Sequence, residues 1–176
     1  MVSPTDPEAT LEPWSEGDFW LLERQNTPEM TEHLGGPETA EKLVDRHRRY
    51  LLLTERGRVF RITVDGRTTG SIGYWEQEWQ GGTVWETGWG VLPEFQGRGI
   101  AVAAARLVLD AARTESLHRF VHAFPSTGNP GSNAVCRKAG FHLVGDSDLE
   151  YPKGHWSRHN DWRFDLEAEA AAGAEA

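Results

Sequence analysis

Cysteine is almost missing from these 176 residues: Cys136 stands alone, which excludes an internal disulfide framework and a multi-cysteine metal site. No apolar run approaches the ~20 residues a membrane span needs, and the N-terminus lacks the apolar core of a signal peptide. Basic residues are the minority, 18 Lys and Arg against 27 Asp and Glu, leaving a net charge of −9. That is the wrong sign for a nucleic-acid partner, because phosphate binding needs a basic face. An acidic surface suits cationic substrates, or serves only to keep the protein in solution. The expectations are therefore no nucleic acid, no membrane and a cytoplasmic setting, as monomer or homodimer. The length fits one domain with a substantial core and not two.

What is present mixes strand and helix patterns without regular alternation. Prolines, threonines and acids over 1–13 predict a poorly ordered lead-in, and residues 14–166 read as a single domain. Residues 19–23 read as a first strand. Asn26-Thr27-Pro28-Glu29 reads as a helix start, ended at Gly35-Gly36. Pro37 opens a second helix to about Leu53, with Leu43, Val44, His47 and Leu51 at helical spacing. Residues 59–64 alternate, Asp65-Gly66 is a hairpin turn, and 68–76 return as a strand. Gly81-Gly82 turns again into 83–91. A helix over 99–114 puts Ile100, Ala104, Leu107, Val108 and Ala111 on one face. Residues 119–124 form a further strand and 129–139 a short helix. Segments 141–144 and 161–166 pair as a hairpin across a loop over 145–160. The Ala/Glu-rich 167–176 predicts a frayed tail. The mixture indicates a layered α/β or α+β domain with a mostly antiparallel sheet.

The chemistry concentrates at Val91-Leu92-Pro93-Glu94-Phe95-Gln96-Gly97-Arg98-Gly99-Ile100-Ala101. Two glycines within three positions admit backbone dihedrals that a Cβ makes costly, and the alanine-rich run behind them favours helix. A tight loop with converging N–H groups, backed by a helix N-terminus, attracts phosphate. Ile100-Ala101 stand where a P-loop needs Lys-Ser or Lys-Thr. Val102 stands where a dinucleotide fingerprint needs its third glycine.

The segment Gln96-Gly97-Arg98-Gly99-Ile100-Ala101 resembles the acyl-CoA loop, Q/R-x-x-G-x-G/A, of the GNAT N-acetyltransferase superfamily. Downstream by one helix and one strand, Asn129-Pro130-Gly131-Ser132, continuing to Gly140-Phe141, resembles the N-x-x-S…G-F segment of its ribosomal-protein (Rim-type) branch. The resemblance covers roughly residues 19–166. It implies a GNAT fold, a mixed, mostly antiparallel sheet of about six to seven strands flanked by helices, with acetyl-CoA as cosubstrate and no metal. Acyl-CoA is expected between the splayed strands 83–91 and 119–124. Its diphosphate is expected on the N–H groups of Gln96, Gly97, Arg98, Gly99, Ile100 and Ala101, and Arg98 either adds a charge there or is solvated.

Acyl transfer needs a deprotonated amine, donors for the thioester oxygen and a proton for the departing thiolate. Glu86, in Trp85-Glu86-Thr87-Gly88-Trp89, resembles the strand glutamate that some members use as base, or is an ordinary outward-facing residue. The backbone N–H of Val91 or Leu92 is the implied oxyanion donor. Ser132 matches the family serine near the CoA sulfur, or caps its helix. Asn129 matches the cofactor-binding asparagine, or is likewise a cap. Many members carry a tyrosine four residues before the G-F pair; this sequence has Cys136 there, read as a small buried residue, so the acid is left undecided.

Aromatic and acidic residues, notably Trp75, Glu76, Trp79 and Tyr151, are candidates for binding a cationic amine, or are core tryptophans with solvated acids between them. His155 and His159 lack the helix that would make them metal ligands, and His122 reads as packed core. Three functions compete. The first is acetyl transfer to a primary amine of a small molecule, a metabolite or antibiotic, in a ternary complex. The others are acetylation of a protein N-terminal α-amine and non-catalytic acyl-CoA binding.

Overall fold

The computed structural model describes residues 7–168. Four antiparallel neighbours build one half of its sheet: β1 (Ala9–Pro13), β2 (Gly57–Val64), β3 (Arg67–Trp79) and β4 (Gly82–Val91). Asp65-Gly66 joins β2 to β3 and Gln80-Gly81 joins β3 to β4, with φ of 51° and 73°, and of 50° and 84°. Two successive left-handed residues match the twist of antiparallel strands. Gly82 is thus the first residue of β4 rather than part of the turn.

The other half comprises β5 (Phe120–Ala123), β6 (His142–Glu150) and β7 (Trp156–Asp165), and the full order is β1-β2-β3-β4-β5-β7-β6. Only the β4–β5 pair is parallel. The expected layered fold with a mostly antiparallel sheet of seven strands is present.

Four helices flank the sheet: α1 (Phe19–Gln25), α2 (Ala40–Leu52), α3 (Ile100–Glu115) and α4 (Pro130–Lys138). Ser71 and Tyr74 point to opposite faces of β3, an odd number of residues apart. Ser71 meets Gln25 of α1, whereas the Tyr74 hydroxyl donates to Glu115 of α3 at 3.0 Å. Helices α1 and α3 therefore cover opposite faces. The α3 core stripe is Ile100, Ala104, Ala105, Val108, Leu109 and Ala112, with Leu107 and Ala111 only half-buried at its margin.

Several expectations are corrected. Residues 9–13 are an edge strand, not a disordered lead-in; Pro13 sits at the strand end, where a missing N–H costs nothing. Residues 19–25 are helix, not strand: adjacent Leu21 and Leu22 are both buried, which alternation forbids. The Ser15 N–H and hydroxyl both reach Asp18 Oδ2, at 2.8 and 3.0 Å, and turn the chain into α1. Residues 27–36 make hydrogen-bonded turns instead of a helix, closed by left-handed Gly35 and Gly36. The loop expected over 145–160 is mostly strand, since β6 and β7 continue pairing to Glu150 and Trp156. Residues 1–6 of the lead-in and 169–176 of the tail lie outside the described residues.

Candidate active site

Strands β4 and β5 are paired at Trp85–Val121 and Glu86–His122 only. Beyond this point β4 runs on to Val91 while β5 ends at Ala123, so a wedge opens between their C-terminal halves. At its mouth the chain makes a 3-10 turn (Pro93–Phe95) and enters α3. Leu92 N–H donates to Thr69 O of β3 at 2.8 Å. By antiparallel alternation the Val91 N–H then faces the other way, into the wedge. Of the two expected oxyanion donors, Leu92 is consumed, and Val91 has no partner strand on that side among the described residues.

Gly97 and Gly99 have φ of 75° and 77°, and both N–H groups lack acceptors among the described residues. The first hydrogen bond of α3 runs from Ala103 N–H to Gly99 O, so the amides of Ile100, Ala101 and Val102 precede the helical ladder. A Cβ at Gly97 would meet nothing within 4 Å, so open space lies over the loop. These amides and the helix dipole suit a diphosphate. Gln96 is corrected out of the cradle: its N–H donates to Pro93 O and its side-chain amide to Val91 O, at 3.2 and 2.9 Å. Arg98 folds back, donating to Glu94 O at 3.1 Å with its guanidinium over the Phe95 ring.

Glu86 points to the α1 side of the sheet and is not an outward-facing residue. Its Oε2 accepts from Trp75 Nε1 at 3.0 Å. Burial pushes its carboxyl above the usual carboxylate range, partly offset by the Trp75 hydrogen bond and by the neighbouring His122.

On the same face, His122 Nδ1 lies 2.6 Å from Asp161 Oδ1, both side chains well buried. Trp79 Nε1 donates to the other oxygen, Oδ2, at 3.0 Å. The imidazole stacks on Phe124 with 5.6 Å between centroids. His122, expected as packed core, is therefore buried but not merely packed, and Asp161 is not singled out by the sequence.

Glu76 is a correction. It faces the α3 side, where it meets His118 Nε2 at 2.9 Å, away from Trp75 and Trp79. The Tyr151 hydroxyl accepts from Arg46 of α2 at 3.1 Å, and Pro152 lies against Gly35. The tip of the β6–β7 hairpin is thereby tied across to α2 and the α1–α2 connection. Between His122, Asp161, Gln80, Asp146, Ser147 and Arg163 is a cavity of roughly 340 Å³.

On α4, Asn129 Oδ1 accepts from Ser132 N–H at 3.1 Å and its Nδ2 donates to Ser132 Oγ at 3.2 Å. The cap is real, and the Ser132 hydroxyl is left with its own proton to donate. Cys136 is fully buried and its thiol is pushed up to about 12, mainly by that burial, so it does not take over the proton-donating role of the absent tyrosine. His159 bonds Phe124 O and Ser157, and no cluster of three metal-ligating side chains occurs among the described residues. No described helix is long and apolar enough to cross a membrane.

Residues 9–142 match the family model described as an acetyltransferase (GNAT) domain. A comparison with curated protein sequences finds no match. Among solved structures, the aminoglycoside acetyltransferase AAC(6')-Ib in complex with coenzyme A is 19% identical. It covers 93% of this chain and 98% of its own, with a TM-score of 0.74. The Salmonella typhimurium acetyltransferase that modifies the N-terminal serine of ribosomal protein L7/L12 is 18% identical over 94% and 97%, TM-score 0.74. The Vibrio cholerae spermidine N-acetyltransferase in complex with CoA and spermine is 17% identical over 91% and 96%, TM-score 0.75.

Proposed function

The chain belongs to the GNAT acetyltransferase family and is an acyl-CoA-dependent N-acetyltransferase; we propose that its acceptor is the primary amine of a small cationic molecule, a metabolite or an antibiotic. Acetyl-CoA supplies an acyl group already activated as a thioester. The amides of Gly97, Gly99, Ile100 and Ala101 hold the diphosphate, and the Val91 N–H is aimed where negative charge develops on the thioester oxygen. Glu86 accepts a proton from the incoming nitrogen, its raised carboxyl being a better base than an exposed one. Ser132 is the donor available to the leaving thiolate. The setting this implies is cytoplasmic.

One observation carries the choice of acceptor. The face bearing Glu86 also carries Trp75 and Trp79, and next to them His122, Asp146, Ser147 and Asp161 line a cavity of roughly 340 Å³, within the range of small-ligand pockets. Indole faces and carboxylates attract a cation, and the hairpin tip tied to α2 bounds the face where an extended peptide would run. The test is a mass-spectrometric screen with acetyl-CoA, small amines beside peptides with free N-termini. Gain of one acetyl group on small cationic amines is expected. Turnover of peptides alone would transfer the assignment to a protein α-amine, and turnover of neither would overturn it.

A further inference from the structure

Becoming an amide strips two protons from an ammonium group, one before attack and one as the C–N bond forms. A single carboxylate holds only one of them. The cavity on the acceptor face contains a second group built for the task. Asp161 is a carboxylate, an acceptor only, so a neutral His122 must present its proton on Nδ1 and its lone pair on Nε2. That nitrogen makes no hydrogen bond to the described residues, is not among the fully buried orphan atoms, and belongs to a side chain lining the cavity. Trp79 fixes Asp161, which holds the Nδ1 edge of the ring, and Phe124 stacks on its face, so its orientation is set from two sides. Packing alone would not call for a buried carboxylate, whose desolvation costs several kcal/mol. In register, His122 stands directly beside Glu86 at the vertex of the wedge, where β4 and β5 part.

We propose that His122, oriented by Asp161, is a catalytic base that shares the acceptor's two protons with Glu86. This rests on the acetyl-transfer reading above. His122 Nε2 takes the first proton and frees the nitrogen lone pair. The nitrogen attacks the thioester carbon, the C–N bond forms, the C–S bond breaks and its electron pair leaves on sulfur. Glu86 takes the second proton. Both bases return their protons through the cavity, the thiolate recovers one by way of Ser132 or solvent, and one proton is released per turnover. Asp161 is a positioning residue. The charged groups facing His122 are Glu86 from β4, Asp161 and Arg163 from β7, and Asp146 from β6 across the cavity. Of these, the Arg163 guanidinium is drawn over the Phe120 ring and Asp146 is paired with Arg158.

The experiment compares His122→Gln and Asp161→Asn with the unaltered chain in thiol release from acetyl-CoA between pH 6 and 9, using the best amine of the screen. Loss of the base should lower kcat by about 100-fold or more and abolish the ascending limb of the profile at its original pH. Asp161→Asn should move that limb to lower pH, which a purely structural partner would not do, with CoA affinity unchanged in both. A folded His122→Gln with kcat within about threefold of the parent and the same profile would overturn the proposal. Nitrogen-15 imidazole spectra of the unaltered chain test it without turnover. One histidine should be an Nδ1–H tautomer that switches in Asp161→Asn, and an Nε2–H tautomer at His122 would refute the assignment. Absence of turnover with an Nδ1–H tautomer present would sink the acceptor reading and leave the dyad standing.

Discussion

Replacing Gly99 by valine is the perturbation that separates the loop's shape from its space. The residue sits at φ 77° just before α3, and a Cβ built on it would meet only Pro7 Cδ, at an ordinary 3.6 Å. Room is available; the backbone conformation is what valine resists. An L-residue held in the left-handed region costs about 1–2 kcal/mol, and up to about 3 for a strained site. The loop has two responses. If it keeps its shape, stability falls by that amount, lowering Tm by about 2–4 °C per kcal/mol for a chain this size. If it relaxes to negative φ, the peptide planes on either side of Gly99 rotate and the amides no longer converge. Each hydrogen bond to a charged oxygen contributes about 1.5–3 kcal/mol. Loss of two of them raises the Kd for coenzyme A by upwards of about 100-fold. Gly81→Val is the matched control. That glycine has φ 84° in the β3–β4 turn, with nothing within 4 Å of a built Cβ. It should lose similar stability and retain its affinity. Calorimetric titration with coenzyme A, alongside thermal unfolding, reads both quantities. A folded Gly99→Val with neither a lowered Tm nor a raised Kd, and so with a relaxed loop that still binds, would show that the diphosphate is held elsewhere.

The cradle was legible because it is local. A glycine pair, a preceding strand and an alanine-rich run determine the φ values and the helix start without reference to distant parts of the chain. The Gln96 and Leu92 amides were not separable from their neighbours in the same way, since their acceptors depend on a 3-10 turn and on the β3 register. Strand alternation does distinguish Glu76 from Trp75 and Trp79, so its place on the opposite face could have been read from parity alone. Residues 19–22 were misread because four consecutive apolar residues fit either period, and the cap that decides between them, Ser15 with Asp18, lies upstream. Strand β6 was read only as far as residue 144; its continuation to Glu150 was missed because it is an exposed, largely polar edge, and alternation leaves little trace in such a strand. The second half of the site was hidden by topology. His122 acquires its meaning from Asp161, 39 residues away, and they meet only because β7 lies beside β5.

Capping and chemistry can be separated on α4. Asn129→Ala should cost about 0.5–2 kcal/mol of stability through the lost cap, whereas Ser132→Ala should leave the melting curve nearly unchanged and lower kcat; the reverse pattern would assign the serine to the cap alone. Glu86→Gln makes a sharper test, because it predicts a gain and a loss together. Burial raises the Glu86 carboxyl above its ordinary 4.5, so the native state binds that proton more tightly than the unfolded chain. Stability contributed by this group is present below about pH 4.5, falls as pH climbs toward the raised value, and is level above it. Glutamine removes the titration and still offers an oxygen to the Trp75 indole. The variant should therefore melt higher than the parent at pH 7, converge with it at pH 4, and lose about 100-fold in kcat/KM at neutral pH. Melting curves between pH 4 and 8 and thiol-release rates check both halves. A variant less stable at pH 7, or equally active, would show that Glu86 is held as a structural ion and not as a base.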